Sequence, residues 1–194
     1  MEIKTKKYNR RSNRLQRYDY SLPGAYFITI CIHKQKMLLK IKGVKMMIRS
    51  VWSSLPDRFF PLELDEFVIM PNHIHAILCI NIVEADLVSA RNKTTPTSAP
   101  TISRIIQAFK SITTYKYILG VKKNNWPLFD NRLWQRNYYD HIIRSEKSLN
   151  YIREYIVNNP IRWEFDKENP QGKIDEKEED FWKEINSSNG IVNL

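Results

Sequence analysis

Along most of the chain, alternating apolar stretches trade places with stretches whose apolar positions recur every three to four residues. AYFITICIH, after a turn at Pro23-Gly24, is β-branched and aromatic and predicts a first strand. In KGVKMMIRSVWSSL, Val44, Met47, Ile48, Val51 and Leu55 fall on one helical face, and Pro56 ends the helix. LELDEFVIM and HIHAILCI read as second and third strands, paired across a turn at Pro71-Asn72. ISRIIQAFKSITTYKYIL predicts a basic amphipathic helix. Ile102, Ile105, Ile106, Phe109 and Ile112 point inward; Arg104, Lys110 and Lys116 point out. NRLWQRNYYDHIIR reads as a fourth strand and its exit, and SEKSLNYIREYIVNN as a last helix stopped by Pro160. The order β-α-β-β-α-β plus a terminal helix predicts an α+β, ferredoxin-like fold. Its antiparallel sheet would carry helices on one face and leave the other free for a ligand.

Charge divides the chain further. The net is +10, yet residues 164–184 hold nine acids and four bases, so the remainder carries +15. Residues 1–20 form a basic arm without periodicity, containing Arg10, Arg11, Arg14 and Arg17. Residues 21–166 form the single domain, with a Thr/Ser/Pro-rich surface loop over 84–101. Residues 167–194 read as an acidic tail, disordered in part, in which Phe181 and Trp182 are the side chains able to dock. Such a balance points to a polyanionic partner, with nucleic acid ahead of a membrane surface.

Other features narrow the class. Five glycines and no GxxxxGK[ST] argue against a nucleotide-binding phosphate loop. No apolar run approaches the ~18 residues of a membrane span, and the charged N-terminus does not resemble a secretory signal. Cys31 and Cys79 lie in predicted strands and read as buried thiols of a reducing cytosol, so a cytoplasmic location is expected.

The candidate chemistry begins at PNHIHAIL. Residues two apart on a strand share a face, about 6.6 Å between Cα atoms, so His73 and His75 project together. Two imidazoles in that arrangement can grip one divalent cation, although a strand can also hold two hydrogen-bonded histidines without one. On the last helix, Tyr151, Tyr155 and Asn159 fall on one stripe beside the apolar stripe of Leu149, Ile152 and Ile156. Docked on the sheet, that helix would present Tyr155 and Asn159 to the histidines. An amide oxygen is a hard ligand suited to Mg²⁺ or Mn²⁺, and the resulting site would polarise a phosphate under attack by a phenol. Such an exchange conserves the ester and needs no ATP. Spacing alone leaves Tyr151 and Tyr155 both open as the nucleophile.

The stretches RLQRYDYSLPGAYFITICIH, ELDEFVIMPNHIHAIL, AFKS, WQRNYYDHIIR and YIREYIVNNPIRWEFDKENP, in that order from Asn9 to Pro170, closely resemble the REP-associated tyrosine transposases. These are relatives of the single-tyrosine HUH transposases of small insertion sequences. The resemblance implies a ferredoxin-like catalytic domain. His73 and His75 match the metal pair, Asn159 the third ligand, and Tyr155 the nucleophile of a 5′-phosphotyrosine link that frees a 3′-OH. It implies an endonuclease and strand transferase, nucleoid-associated and dependent on Mg²⁺ or Mn²⁺, whose substrate is single-stranded DNA bearing short hairpins. Monomer or homodimer, and action of Tyr155 in cis or in trans, stay open. The tail beyond Pro170 lies outside the match.

DNA contacts are expected from Arg10, Arg11, Arg14, Arg17, Arg104, Lys110 and Lys116 along the phosphates. Arg132 and Arg136, with Trp134, Tyr138 and Tyr139 as stacking platforms, would complete the surface. Two other readings stand beside strand transfer: a domesticated protein that holds hairpin DNA or RNA without cutting it, and a hydrolytic phosphodiesterase in which water replaces the phenol.

Overall fold

The computed structural model describes residues 22–81 and 100–188. The arm with Arg10, Arg11, Arg14 and Arg17, and nearly all of the 84–101 loop, lie outside the described residues. The elements are β1 Gly24–Cys31, α1 Lys42–Ser53, β2 Leu62–Ile69, β3 His73–Ile80, α2 Ile102–Asn124, β4 Tyr139–Ile143, α3 Glu146–Asn158 and α4 Glu176–Ser188. The four strands form one antiparallel sheet in the order β2-β3-β1-β4. This is the expected α+β, ferredoxin-like arrangement.

Strand alternation sorts the core into two layers. Tyr26, Ile28 and Ile30 of β1 and Ile74, Ala76 and Leu78 of β3 face α1 and α2. There they meet Val44, Ile48, Val51 and Trp52, together with Ile105, Ile106 and Phe109. Helix α2 starts at Thr101, whose side chain accepts the Arg104 amide hydrogen, and ends at Asn125 in the left-handed region at φ 53°. Between α1 and α2 the Trp126 indole packs against Gly43 and Gly120; a Cβ at Gly120 would collide with the ring, and one at Gly43 would press tightly on it.

The second face is not free. Phe27, Ile77 and Ile143 are covered by Ile152 and Ile156 of α3 and by Phe181 and Ile185 of α4. That is why β3 is buried almost throughout; a sheet open to water on one side would alternate buried and exposed. Helix α4 forms inside the stretch expected to be an irregular tail. Glu178, Phe181, Trp182 and Ile185 recur at helical spacing and bring two buried side chains, Phe181 and Ile185, and the half-buried Trp182 against the sheet. Acids at Glu176, Glu178 and Glu179 suit its N-terminal dipole. The dense charge of this segment masks that stripe in the sequence.

The expected fourth strand shortens to five residues. Upstream of it Asn131 turns in the left-handed region, and Trp134 makes only an isolated bridge to Ile32. Among the described residues no helix is long and apolar enough to cross a membrane. Cys31 and Cys79 are both free thiols.

Candidate metal centre and nucleophile

The register of β3 against β1 sets Thr29 opposite His75 and Cys31 opposite His73. Both imidazoles are fully buried. The Thr29 hydroxyl bonds His75 Nδ1 at 2.8 Å, and Asn72 Oδ1 bonds His73 Nδ1 at 2.8 Å. The two Nε2 atoms are then left facing each other, 2.9 Å apart. Burial, with His73 alongside, lowers the His75 pKa to about 4, so at neutral pH this ring is uncharged, the form that ligates metals.

A third group arrives from the irregular segment after α3. Asp166 is buried, and its Oδ1 accepts the Glu168 amide hydrogen at 2.7 Å. Its Oδ2 has no hydrogen-bond partner among the described residues; it lies 3.4 Å from His73 Nε2 and 3.9 Å from His75 Nε2. Burial pushes this carboxyl up, but the adjoining imidazoles outweigh it and hold the acid well below the usual carboxylate range. Asn159, expected to be a ligand, is 2% exposed, and its Oδ1 likewise has no partner among the described residues.

One orphaned buried oxygen, Asp166 Oδ2, beside two convergent imidazole nitrogens fits a divalent cation. Three atoms spaced 2.9, 3.4 and 3.9 Å apart share a point about 2.0 Å from each, the length of a metal–nitrogen or metal–oxygen bond. Nitrogen and hard oxygen donors together suit Mn²⁺, Mg²⁺ or Zn²⁺. The sequence pointed to the histidines and Asn159 but not to Asp166. That residue stands 91 positions from His75 in a loop without periodicity, so no spacing rule could connect them.

Helix α3 brings the phenol to this centre. Ser145 caps it by accepting the Ser148 amide hydrogen at 3.2 Å, and Ile152 and Ile156 dock it. On β2, Asp65 takes Arg153 in a two-point ion pair, at 3.0 Å from Nε and 2.6 Å from NH2. The helix is thereby oriented so that the Tyr155 ring lies edge-on to His75, with centroids 5.4 Å apart. Tyr151, the alternative left open by spacing, is 37% exposed and packs on Phe181. Of the two, Tyr155 is the one beside the histidines.

Helix α4 occupies the mouth of the site. Phe181 stacks on the Tyr155 ring at 3.7 Å between centroids, with the planes 10° apart. The Tyr155 hydroxyl donates to Glu178 Oε1 at 2.8 Å, and the Trp182 indole donates to the same oxygen at 2.8 Å. Burial, then the Glu178 and Asp166 carboxylates, push the phenol far above its ordinary range. Burial also raises the Glu178 carboxyl. Beside this seam runs a cavity of about 450 Å³ between Asp166 and Lys167 on one wall and Glu178 and Trp182 on the other.

The expected DNA-contacting residues divide by position. Arg104, Lys116 and Arg136 are exposed and Arg132 is partly so. Arg132 and Arg136 line a shallow groove of about 560 Å³ beside Tyr115 and Ile118 of α2. Trp134 is not a stacking platform: it is 4% exposed, packs on Phe109, and spends its indole hydrogen on Thr113 Oγ1 at 2.8 Å. Lys110 is not an outward phosphate contact either. It donates to the carbonyls of Gln135 at 2.9 Å, Arg136 at 3.4 Å and Asn137 at 2.9 Å, and burial lowers its pKa to about 8. Tyr139 remains 47% exposed, whereas Tyr138 packs against the helical core layer.

No family model matches the chain. It is 39% identical over 183 residues to an uncharacterized protein of Haemophilus influenzae, spanning 84% of this chain and 97% of that one. Over 143 residues it is 22% identical to the REP-associated tyrosine transposase of Escherichia coli K12, spanning 74% of this chain and 70% of that protein. The solved structure of a REP-associated tyrosine transposase bound to a REP hairpin matches at a TM-score of 0.52 and 19% identity, covering 79% of this chain and 76% of that one; this is a likeness of fold.

Proposed function

We propose, from its likeness to the REP-associated tyrosine transposases, that the chain cuts and joins single-stranded DNA beside a hairpin, through a covalent link to Tyr155. The observation that carries this reading is the convergence of Tyr155 on the His73, His75 and Asp166 cluster. A phenol is a weak nucleophile at neutral pH, and this one is held protonated. Placing it against two metal-type imidazoles and a carboxylate is what phosphoryl transfer to tyrosine requires.

In the proposed reaction the Tyr155 oxygen attacks the scissile phosphorus in line and gives up its proton. The P–O3′ bond breaks, and the departing 3′ oxygen takes up a proton. DNA is left with a free 3′-OH and a 5′-phosphate esterified to Tyr155; attack by another 3′-OH reverses the step and restores the phenol. His73, His75, Asp166 and Asn159 would hold a divalent cation, Mg²⁺ or Mn²⁺. The chemistry it supplies when bound is Lewis-acid polarisation of the phosphate. Asp166 and the amide oxygen of Asn159 supply hard donors, and the Asp65–Arg153 pair orients the nucleophile's helix. Arg104, Lys116, Arg132 and Arg136 are the described cations we assign to the DNA backbone, and each phosphate they neutralise steepens the salt dependence of binding.

The test is incubation of the full chain with hairpin oligonucleotides and Mn²⁺ or Mg²⁺, followed by a denaturing gel. A covalent protein–DNA adduct is expected, and Tyr155→Phe should abolish it. An adduct that persists in Tyr155→Phe would refute the nucleophile. A second reading, hairpin binding without cleavage, draws support from the contact of Glu178 and Phe181 with Tyr155. It predicts tight hairpin binding and no adduct, even when α4 is loosened.

A further inference from the structure

Asn72 sits in the turn between β2 and β3, is fully buried, and has its side-chain amide saturated. Its Nδ2 donates to the Glu168 carbonyl at 2.6 Å and lies 3.4 Å from the Gln35 carbonyl. Carbonyls only accept, so the orientation of the amide is fixed and Oδ1 must be its acceptor end. That Oδ1 meets His73 Nδ1 at 2.8 Å, so the proton of a neutral His73 ring belongs on Nδ1. The lone pair is then on Nε2, the atom that faces His75 Nε2 and Asp166 Oδ2.

The same amide reaches the other half of the centre. Glu168 is two residues beyond Asp166, and its amide hydrogen is the one that Asp166 Oδ1 accepts. Glu168 is further tied by its Oε2 to the Cys31 thiol at 3.4 Å and to Gln35 Nε2 at 3.2 Å. One side chain therefore bridges a strand and a loop more than 90 positions away, at the point where each contributes a donor atom.

We propose that Asn72 is a positioning residue of the metal centre: its acceptor end selects the ligating tautomer of His73, and its donor end holds the loop that delivers Asp166. The inference rests on the reading of His73, His75 and Asp166 as cation ligands. Outer partners of ligating histidines typically account for 10–100-fold in metal affinity, and Asn72 serves two ligands at once.

The first measurement uses the unaltered chain. Long-range ¹H–¹⁵N correlation spectra of the metal-free protein at neutral pH should show His73 protonated on Nδ1; an Nε2–H tautomer would overturn the proposal. The second is Mn²⁺ binding by isothermal titration. Asn72→Ala should weaken it about 10–100-fold while the protein still melts cooperatively. Asn72→Asp keeps the acceptor for His73 but sets a carboxylate oxygen against the Glu168 carbonyl, so it should weaken binding mainly through Asp166. In an Asp166→Asn background that loss should largely vanish, the non-additivity expected of residues acting through one another. Equal Mn²⁺ affinity in Asn72→Ala and the unaltered chain would refute the role of Asn72 alone. Absence of Mn²⁺ binding by the unaltered chain would instead refute the metal reading beneath it.

Discussion

Replacing Phe181 with alanine should uncover Tyr155, the proposed nucleophile. Phe181 is 2% exposed, lies flat on the Tyr155 ring, and meets Phe27 edge-on at 6.3 Å between centroids. Truncating a phenylalanine in such a site costs about 3–5 kcal/mol. Helix α4 touches only one face of the sheet, so the cost falls on its docking; the layer formed by α1, α2 and the opposite face keeps all its contacts. At the lower bound, 3 kcal/mol multiplies the population with α4 detached roughly 150-fold. Detachment also separates Glu178 from the Tyr155 hydroxyl and removes one carboxylate that disfavours the phenolate. The assay is single-turnover formation of the covalent adduct at limiting hairpin DNA with Mn²⁺, alongside amide hydrogen exchange of α4. The adduct should form about 10–100-fold faster, levelling off once α4 is mostly detached, and the α4 amides should exchange faster. Faster exchange with an unchanged adduct rate would refute the reasoning, because the site would then be accessible whether or not α4 is docked.

Asp65→Asn or Arg153→Met should slow adduct formation about 10–100-fold without weakening hairpin binding, since displacing a nucleophile by an ångström or so carries penalties of that size. The exchanged pair Asp65→Arg with Arg153→Asp should recover part of the rate, and equal slowing in the exchanged pair would count against an orienting role. His141 is 3% exposed, neither ring nitrogen has a hydrogen-bond partner among the described residues, and burial beside Arg144 lowers its pKa to about 4. Its unfolded counterpart takes a proton near pH 6.5, so His141 favours folding above that pH and loses this contribution as pH falls from 6.5 to 4. The loss is of order 3 kcal/mol, and His141→Phe should flatten melting temperature against pH across that window; an unaltered profile would sink the assignment. Gly120→Ala would drive a Cβ into the Trp126 ring at Cε3. Overpacking of that kind costs about 1–3 kcal/mol, a fall in melting temperature of roughly 2–12 °C, and calorimetry that finds none would mean the indole moves aside freely.

Local rules settled much of this molecule. Two-residue periodicity put His73 and His75 on one strand face, and 3.6-residue periodicity put Tyr155 and Asn159 on one helix stripe beside the residues that dock it. The order of strands and helices leaves few topologies besides the observed sheet. The register then set Thr29 behind His75. What the chain order could not reveal were the choices made by contacts between distant segments. Trp134 and Lys110 carry the composition of a DNA surface, yet one is packed in the core and the other is bound to three carbonyls. Asp166, Asn72 and Glu178 acquire their places only when the sheet, the loop after α3 and helix α4 meet. A carboxylate or an amide has no periodic signature, because its role depends on which buried partners surround it once water is gone. The sequence determined which faces the strands and helices present; tertiary packing decided which polar groups those faces enclose together.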